Sequence, residues 1–234
     1  MVKIFVGTSA NGEDVEAEMT LEYTLKKHSS EPVEITWMRQ TKDTNSIWGG
    51  WKTDDWHTPF SGYRWAIPAA CNFEGRAIYM DVDMVCLKDI SEMFNEPITL
   101  AMNAKMFGGS PQYSVILFDN AKCKDLLPSL DELRTTPDIM QTIPRMIKQH
   151  ISIMSAKWNV LDGEDYRIED IGILHYTRMA SQPWRPKWFK GLTAEHSRPD
   201  VKKLWFDLRD EAKAMGYTPT IDYELFGEYD IIGM

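Results

Sequence analysis

Cysteine is scarce: the 234 residues include three, Cys71, Cys86 and Cys123, far apart and set among apolar neighbours. An odd, scattered set suits reduced core thiols better than a disulfide frame or a zinc site. Long apolar runs are missing too, since no stretch approaches the roughly 18 to 20 residues of a membrane helix. The opening Met-Val-Lys-Ile-Phe-Val-Gly-Thr-Ser has neither a signal-peptide core nor a cleavage site, so a cytoplasmic protein without a transmembrane segment is expected. Basic excess is absent: 26 Lys and Arg stand against 35 Asp and Glu, a formal charge of -9. That balance argues against a nucleic-acid partner, whose phosphates would need neutralising. Repeats, low-complexity tracts and Ser/Pro linkers are lacking as well, so residues 1–234 read as one domain. Aromatics, in contrast, are plentiful: nine Trp, nine Tyr and nine Phe, in a chain that is 43% hydrophobic, exclude disorder and supply a large core.

Hydrophobic patterning predicts an α/β architecture. Residues 2–6 read as a strand ending at Gly7-Thr8-Ser9, residues 13–28 as an amphipathic helix, and residues 33–38 as an alternating second strand. A right-handed crossover makes those strands parallel. A short helix is expected over 63–71, a buried strand over 76–80, further strands over 98–102, 113–118 and 171–174, and helix within 130–149 and 206–215. Met80, Met84, Met146 and Met154 fall where core side chains belong. Between them, residues 41–59 are too long for an ordinary connector and carry Trp48, Trp51 and Trp56 beside Asp54, Asp55 and His57. An aromatic platform for a ligand and a loop folded onto the core are both open readings of it. Trp158, Trp184 and Trp188 are expected mainly in packing.

The chemistry concentrates at Asp81-Val82-Asp83, which follows the buried strand 76–80. Side chains at i and i+2 of an extended segment share a side, so two carboxylates converge at the strand's C-terminal end. Their mutual repulsion and desolvation ask for a cation, and hard oxygen ligands at that edge of an α/β sheet favour Mn²⁺ or Mg²⁺ with a phosphate-bearing ligand. The triplet is common by chance in an acidic chain; its place after a hydrophobic strand is what singles it out. His175, delivered at another strand end, has the chemistry to complete the coordination.

Taken in order, Gly7-Thr8-Ser9, Phe60-Ser61-Gly62-Tyr63-Arg64-Trp65-Ala66-Ile67-Pro68, Tyr79-Met80-Asp81-Val82-Asp83, Trp158-Asn159-Val160-Leu161 and the run from His175 to Trp184 resemble glycosyltransferase family 8 over roughly residues 2–188. The resemblance implies a GT-A, Rossmann-like fold with a mixed, mostly parallel sheet flanked by helices. It further implies transfer of a hexose from a UDP-sugar to a glycan, lipid-linked or protein acceptor, with Mn²⁺ and with retention. In that family's pattern Asp81, Val82 and Asp83 occupy the Asp-x-Asp motif against the nucleotide, and Asp81, Asp83 and His175 are the metal ligands. Gly7, Thr8 and Ser9 match the uridine-holding strand end, and Arg64 an arginine near the diphosphate and donor sugar.

Departures are equally specific. The family's His-x-x-Gly-x-x-Lys-Pro-Trp has Arg178 at the glycine place, one inserted residue, and Gln182 before Pro183-Trp184. The phosphate lysine is therefore missing, and Arg178, Arg185 and Lys187 are the cations available to replace it. The family's Asn-x-Gly is replaced by 108–114, where Gln112 is the expected contact for a sugar hydroxyl, and its Asp-Gln pair is matched only loosely by Asp138 and Gln141. Asp119, Asp138, Asp162 and Asp165 are the acids available to an inverting mechanism, and Tyr113 and Tyr217 the exposed tyrosines for self-glycosylation. Two other functions compete: a nucleotidyltransferase forming a nucleotide-sugar, for which residues 7–12 make a poor phosphate loop, and a non-catalytic nucleotide-sugar-binding protein.

Overall fold

The computed structural model of the chain describes residues 1–53, 56, 58–136, 138–185 and 191–219. The first crossover forms as the pattern requires. Strand β1 (Val2–Gly7), helix α1 (Val15–Lys27) and strand β2 (Val33–Met38) build a unit whose strands pair in parallel, Val2 beside Val33 and Gly7 beside Met38. α1 carries Glu16 and Glu18 in its first turn and Lys26 and Lys27 in its last, matching the helix dipole at both ends. A 3₁₀ turn (Tyr63–Ala66) runs into the short α2 (Ile67–Ala70), with Pro68 where a helix start tolerates it. β3 (Arg76–Asp81) then inserts parallel to β1 on its other side, setting Gly7 beside Asp81.

β4 (Met84–Cys86) leaves that sheet, and α3 (Ile90–Phe94) follows, capped by the Asp89 carboxylate on the Ser91 amide at 2.9 Å. β5 (Met102–Phe107) and β6 (Ser110–Asp119) form a hairpin whose turn residues, Gly108 and Gly109, have φ of 56° and 81°. Such positive angles favour glycine in a two-residue turn. After α4 (Leu130–Thr135) and α5 (Ile139–Ile147), β7 (Ile151–Ile153) completes a six-stranded sheet of order β2-β1-β3-β6-β5-β7. β8 (Val160–Leu161) and β9 (Ile173–His175) join β4 in a small second sheet, and α6 (Pro199–Ala214) packs against α1.

Alternation sorts the core to the two sheet faces. Ile4, Val6, Ile78, Met80 and Leu117 meet α1, α6 and the small sheet. Phe5, Ala77, Tyr79, Ile116 and Phe118 meet Trp48, Trp51, Tyr63, Leu133 and Ile143. The three cysteines are free and buried, as their surroundings predicted.

Several expectations need correction. The strand placed at 98–102 begins only at Met102, because Asn103 and Lys105 are polar but buried and hide the alternation: Asn103 donates to the Pro97 carbonyl at 2.9 Å and the Lys105 ammonium to the Asn159 carbonyl at 2.8 Å. Helix within 130–149 is two helices, with Asp138 between them in the left-handed region at φ 56°. α6 starts at Pro199, well before residue 206, since proline suits the first helical turn. Met146 is 43% exposed rather than core. Tyr113 and Tyr217 are half-buried, stacked edgewise on Trp65 at 5.2 Å and Tyr23 at 5.3 Å. Trp48 and Trp51 do not form an exposed platform: both are buried around Tyr63, and the half-buried Trp56 packs on the same ring. Asp54, Asp55, His57, Lys187 and Trp188 lie outside the described residues. Among the described residues no helix is long and apolar enough to cross a membrane.

Candidate functional site

The register of three strands builds the site. Gly7 and Asp81 end neighbouring parallel strands, and the Val82 amide donates to the Gly7 carbonyl at 3.0 Å. The chain bends at Val82 and Asp83 into β4, whose first residue, Met84, pairs with His175 of β9. The Tyr176 amide then donates to the Asp83 carbonyl at 2.8 Å. Backbone pairing alone thus brings the imidazole to the carboxylates, and one ligand atom each from Asp81, Asp83 and His175 lie within 4.8 Å of one another.

Tautomer and charge follow from the partners. Asn159 donates its amide to the Ser114 hydroxyl at 2.9 Å, which leaves its Oδ1 to accept from His175 Nδ1 at 3.2 Å. His175 Nε2 therefore faces Asp83 Oδ1, at 3.1 Å. That oxygen is buried and has no hydrogen bond among the described residues, while Oδ2 accepts from Gln182 at 3.0 Å. Burial by itself would lower the His175 pKa, but the Asp83 carboxylate, helped by Asp81 and Asp162, raises it above the usual imidazole range. Asp81 is also raised: burial pushes it up, Arg64 pulls it down, and Asp83 pushes it up again. A proton on Nε2 is one answer to this geometry. A divalent cation held by two carboxylates and a neutral imidazole is the other, and the oxygen-rich donor set, with an Asp83 oxygen that has only the imidazole beside it, fits it.

Arg64 stands over this corner. Its Nε donates to the Ser61 carbonyl at 2.6 Å and an Nη to the Tyr113 carbonyl; its guanidinium lies 4.5 Å above the Tyr79 ring, with Nη2 3.5 Å from Asp81. The Tyr79 hydroxyl donates to the same carboxylate. Gly7 is needed where it stands, because a Cβ there would come within 2.5 Å of the Phe60 ring.

Beside Asp81, Asp83 and His175 opens a cleft of about 80 Å³, bordered by Ser9, Asp14, Phe60, Val82, Asp83 and Arg185 among others. Ser9 and Val82 thus border it; Thr8 is fully buried, its hydroxyl donating to Glu18 at 2.6 Å. Among the described residues the cation lining the cleft is Arg185, whose side chain is 7% exposed, with Glu13 at 3.5 Å and Asp14 at 3.6 Å. Arg178 is exposed and outside the lining. Gln112 is half-buried on β6, paired with Lys105, and its Oε1 has no hydrogen-bond partner among the described residues. Of the four acids considered, Asp162 is buried and engaged by His196 at 3.0 Å and Thr177 at 2.8 Å, Asp119 pairs with Lys122 at 3.0 Å, Asp165 is exposed, and Asp138 borders another cavity.

Asn159 and Gln182, which orient His175 and Asp83, escaped sequence reasoning about the site. Asn159 sits inside a recognisable run, but its partner is on another element. Gln182 is 99 positions from Asp83.

No family model matches the sequence, and no curated protein does. Solved structures do match the fold. The chain is similar to the bifunctional glycosyltransferase WbbM (TM-score 0.62, 10% identity, 97% of this chain and 51% of that one). It is similar to the galactosyltransferase LgtC, determined with donor and acceptor sugar analogues (TM-score 0.61, 10% identity, 97% and 100%). It is also similar to the glycosyltransferase GlyE of Streptococcus pneumoniae TIGR4 (TM-score 0.58, 17% identity, 95% and 66%). The chain spans about half the length of WbbM and 66% of GlyE. The fold is the GT-A fold of these glycosyltransferases.

Proposed function

We propose that the chain is a metal-dependent glycosyltransferase that moves a hexose from a UDP-sugar to a carbohydrate or glycoconjugate acceptor, with retention. The observation that carries this reading is the meeting of Asp81, Asp83 and His175 at the strand ends of a GT-A fold. A Mn²⁺ or Mg²⁺ ion held by these three side chains supplies positive charge to a leaving diphosphate. Around it, the ends of β1 and β3 receive the nucleotide: Ser9, whose hydroxyl donates to Glu13 at 3.2 Å, offers that oxygen as an acceptor, Gly7 its close backbone, and Thr8, whose hydroxyl is committed to Glu18, only its main chain. The small cleft would enclose only part of a nucleotide, which therefore lies across it along the sheet edge.

Arg185, rather than Arg178, stands where the diphosphate would enter the cleft, and it takes the role of the missing lysine. Arg64, fixed by two carbonyls and a ring face, is preorganised to meet charge developing near Asp81. Gln112 Oε1, buried and unpaired, accepts from a donor-sugar hydroxyl. In the transfer the bond from the anomeric carbon to the diphosphate oxygen breaks and a bond to the acceptor oxygen forms. The acceptor proton passes to the leaving diphosphate on the same face. None of Asp119, Asp162 and Asp165 borders the cleft, and the carboxylates that do are engaged, Glu13 and Asp14 by Arg185 and Asp83 by His175 and Gln182, which favours that route over one using a protein base.

The test is release of UDP from a panel of UDP-sugars with and without Mn²⁺, in the wild type and in Asp83→Ala checked for fold by circular dichroism. We expect metal-dependent release from one donor and a loss of roughly 100- to 1,000-fold in the variant. Release that is indifferent to metal, or survives in the folded variant, contradicts the assignment.

A further inference from the structure

A second cavity, of about 280 Å³, lies where the tryptophan segment meets α4 and the start of α5; Lys52, Trp56, Arg134, Asp138 and Gln141 border it. Among the described residues its lining carries two cations against one carboxylate, where that of the first cleft carries Arg185 against Glu13, Asp14 and Asp83. Arg134 is held in place by donation to the Ile47 carbonyl at 3.0 Å, yet its Nε is buried and without a hydrogen-bond partner among the described residues. A buried guanidinium N–H left unpaired calls for an acceptor atom. Lys52, exposed at the rim, adds a second donor and a second charge.

The cavity also has an aromatic wall, Trp56. The Trp56 indole lies on Gly62, where a Cβ would come within 2.4 Å of the ring, and is braced edgewise by Tyr63 at 5.2 Å and Trp51 at 5.7 Å. A rigid, half-buried indole is a stacking surface for the apolar face of a sugar. Gln141 donates to Asp138 at 3.3 Å, a polar pair suited to hydroxyls. The volume is just below the roughly 300 Å³ at which small-molecule pockets begin, room for one ring with one substituent.

Position ties the cavity to the metal site. Trp56 borders one hollow and Thr58, Pro59 and Phe60 the other. Two residue steps span at most about 7 Å, so a ligand in the cavity is a neighbour of one in the cleft.

We propose that this cavity is the acceptor subsite and takes a sugar bearing a carboxylate or phosphate. Trp56 lies against the ring, Lys52 and Arg134 hold the anionic group, and Asp138 and Gln141 meet hydroxyls. The word acceptor rests on the transferase reading; the binding of an acidic sugar does not.

Saturation-transfer NMR titrations of the intact protein with methyl glucuronide, glucose 6-phosphate and methyl glucoside test it, beside calorimetry with UDP and Mn²⁺. At least one charged probe should bind roughly tenfold or more tighter than the neutral glucoside. Lys52→Glu, an exposed change that leaves the core alone, should weaken that probe about tenfold without altering UDP binding. Which charged probe binds better separates a uronic acid from a phosphosugar. No binding of either charged probe, equal binding of the neutral one, or indifference to Lys52→Glu overturns the proposal. Acidic-sugar binding in a protein that does not bind UDP overturns the donor reading and leaves the sugar site standing.

Discussion

The two hollows on either side of residues 56–60 hold opposite charge on walls only a few residues apart. On the metal side Glu13, Asp14, Asp81 and Asp83 face Arg64, Arg185 and an imidazole; on the other Lys52 and Arg134 face Asp138. Among the described residues, then, carboxylates outnumber cations around the first and cations outnumber carboxylates around the second. Buried polar groups without partners are costly, so the buried Arg134 Nε on one side and the crowded carboxylates on the other each invite a ligand of the opposite charge. A cation with a diphosphate suits one and an acidic sugar the other, the latter beside a Trp56 ring braced by Trp51 and Tyr63.

Removing a support on the metal side should break the comparison most. Asn159→Ala takes away the acceptor that fixes the His175 ring, and the affinity for Mn²⁺ should fall by about 10- to 100-fold while Asp81 and Asp83 remain. Titration calorimetry reads this, and an unchanged affinity would mean that His175 is not a ligand.

A pH series comes next. His175 is raised above its ordinary value of about 6.5, so below its folded pKa a proton on Nε2 competes with the metal. Mn²⁺ affinity should drop between pH 8 and pH 6, approaching tenfold per unit once the group is protonated. Stability should move the other way without metal. A raised imidazole contributes most below its unfolded pKa and loses that contribution as pH rises through the folded one, so the metal-free Tm should be higher at pH 6 than at pH 8. The Mn²⁺-loaded protein should show the reverse order.

The smallest effects discriminate between the two arginines. Arg185→Met should weaken UDP binding about tenfold, whereas Arg178→Ala, on an exposed side chain outside the cleft, should change it less than about twofold. Equal effects would remove the charge assignment of the cleft.

Much of this was legible in the sequence wherever a local period decides direction. Alternation along β1 and β3 sends Ile4, Val6, Ile78 and Met80 to one face and Phe5 and Tyr79 to the other; Asp81 and Asp83 do meet, although Asp83 stands in the bend after β3 rather than on the strand. His175 was legible as the end of an apolar strand. The rest depends on partners that no local pattern encodes. Lys105 is buried because Glu164 and the Asn159 carbonyl answer it, so β5 does not read as a strand. The indoles of Trp48 and Trp51 go under because Tyr63 and the outer sheet face need covering, a demand set by the whole fold. Gln182, in a position where family likeness led the eye to a missing lysine, instead ties Asp83 to the Tyr176 carbonyl at 2.8 Å.

The central claim is that the acidic corner binds a nucleoside diphosphate through a divalent ion. Calorimetry of UDP binding with and without Mn²⁺ tests it most directly, in the wild type and in Asp83→Ala. The account predicts UDP binding that requires Mn²⁺ and is lost in the variant; UDP binding of equal strength without metal, or none under either condition, would contradict it.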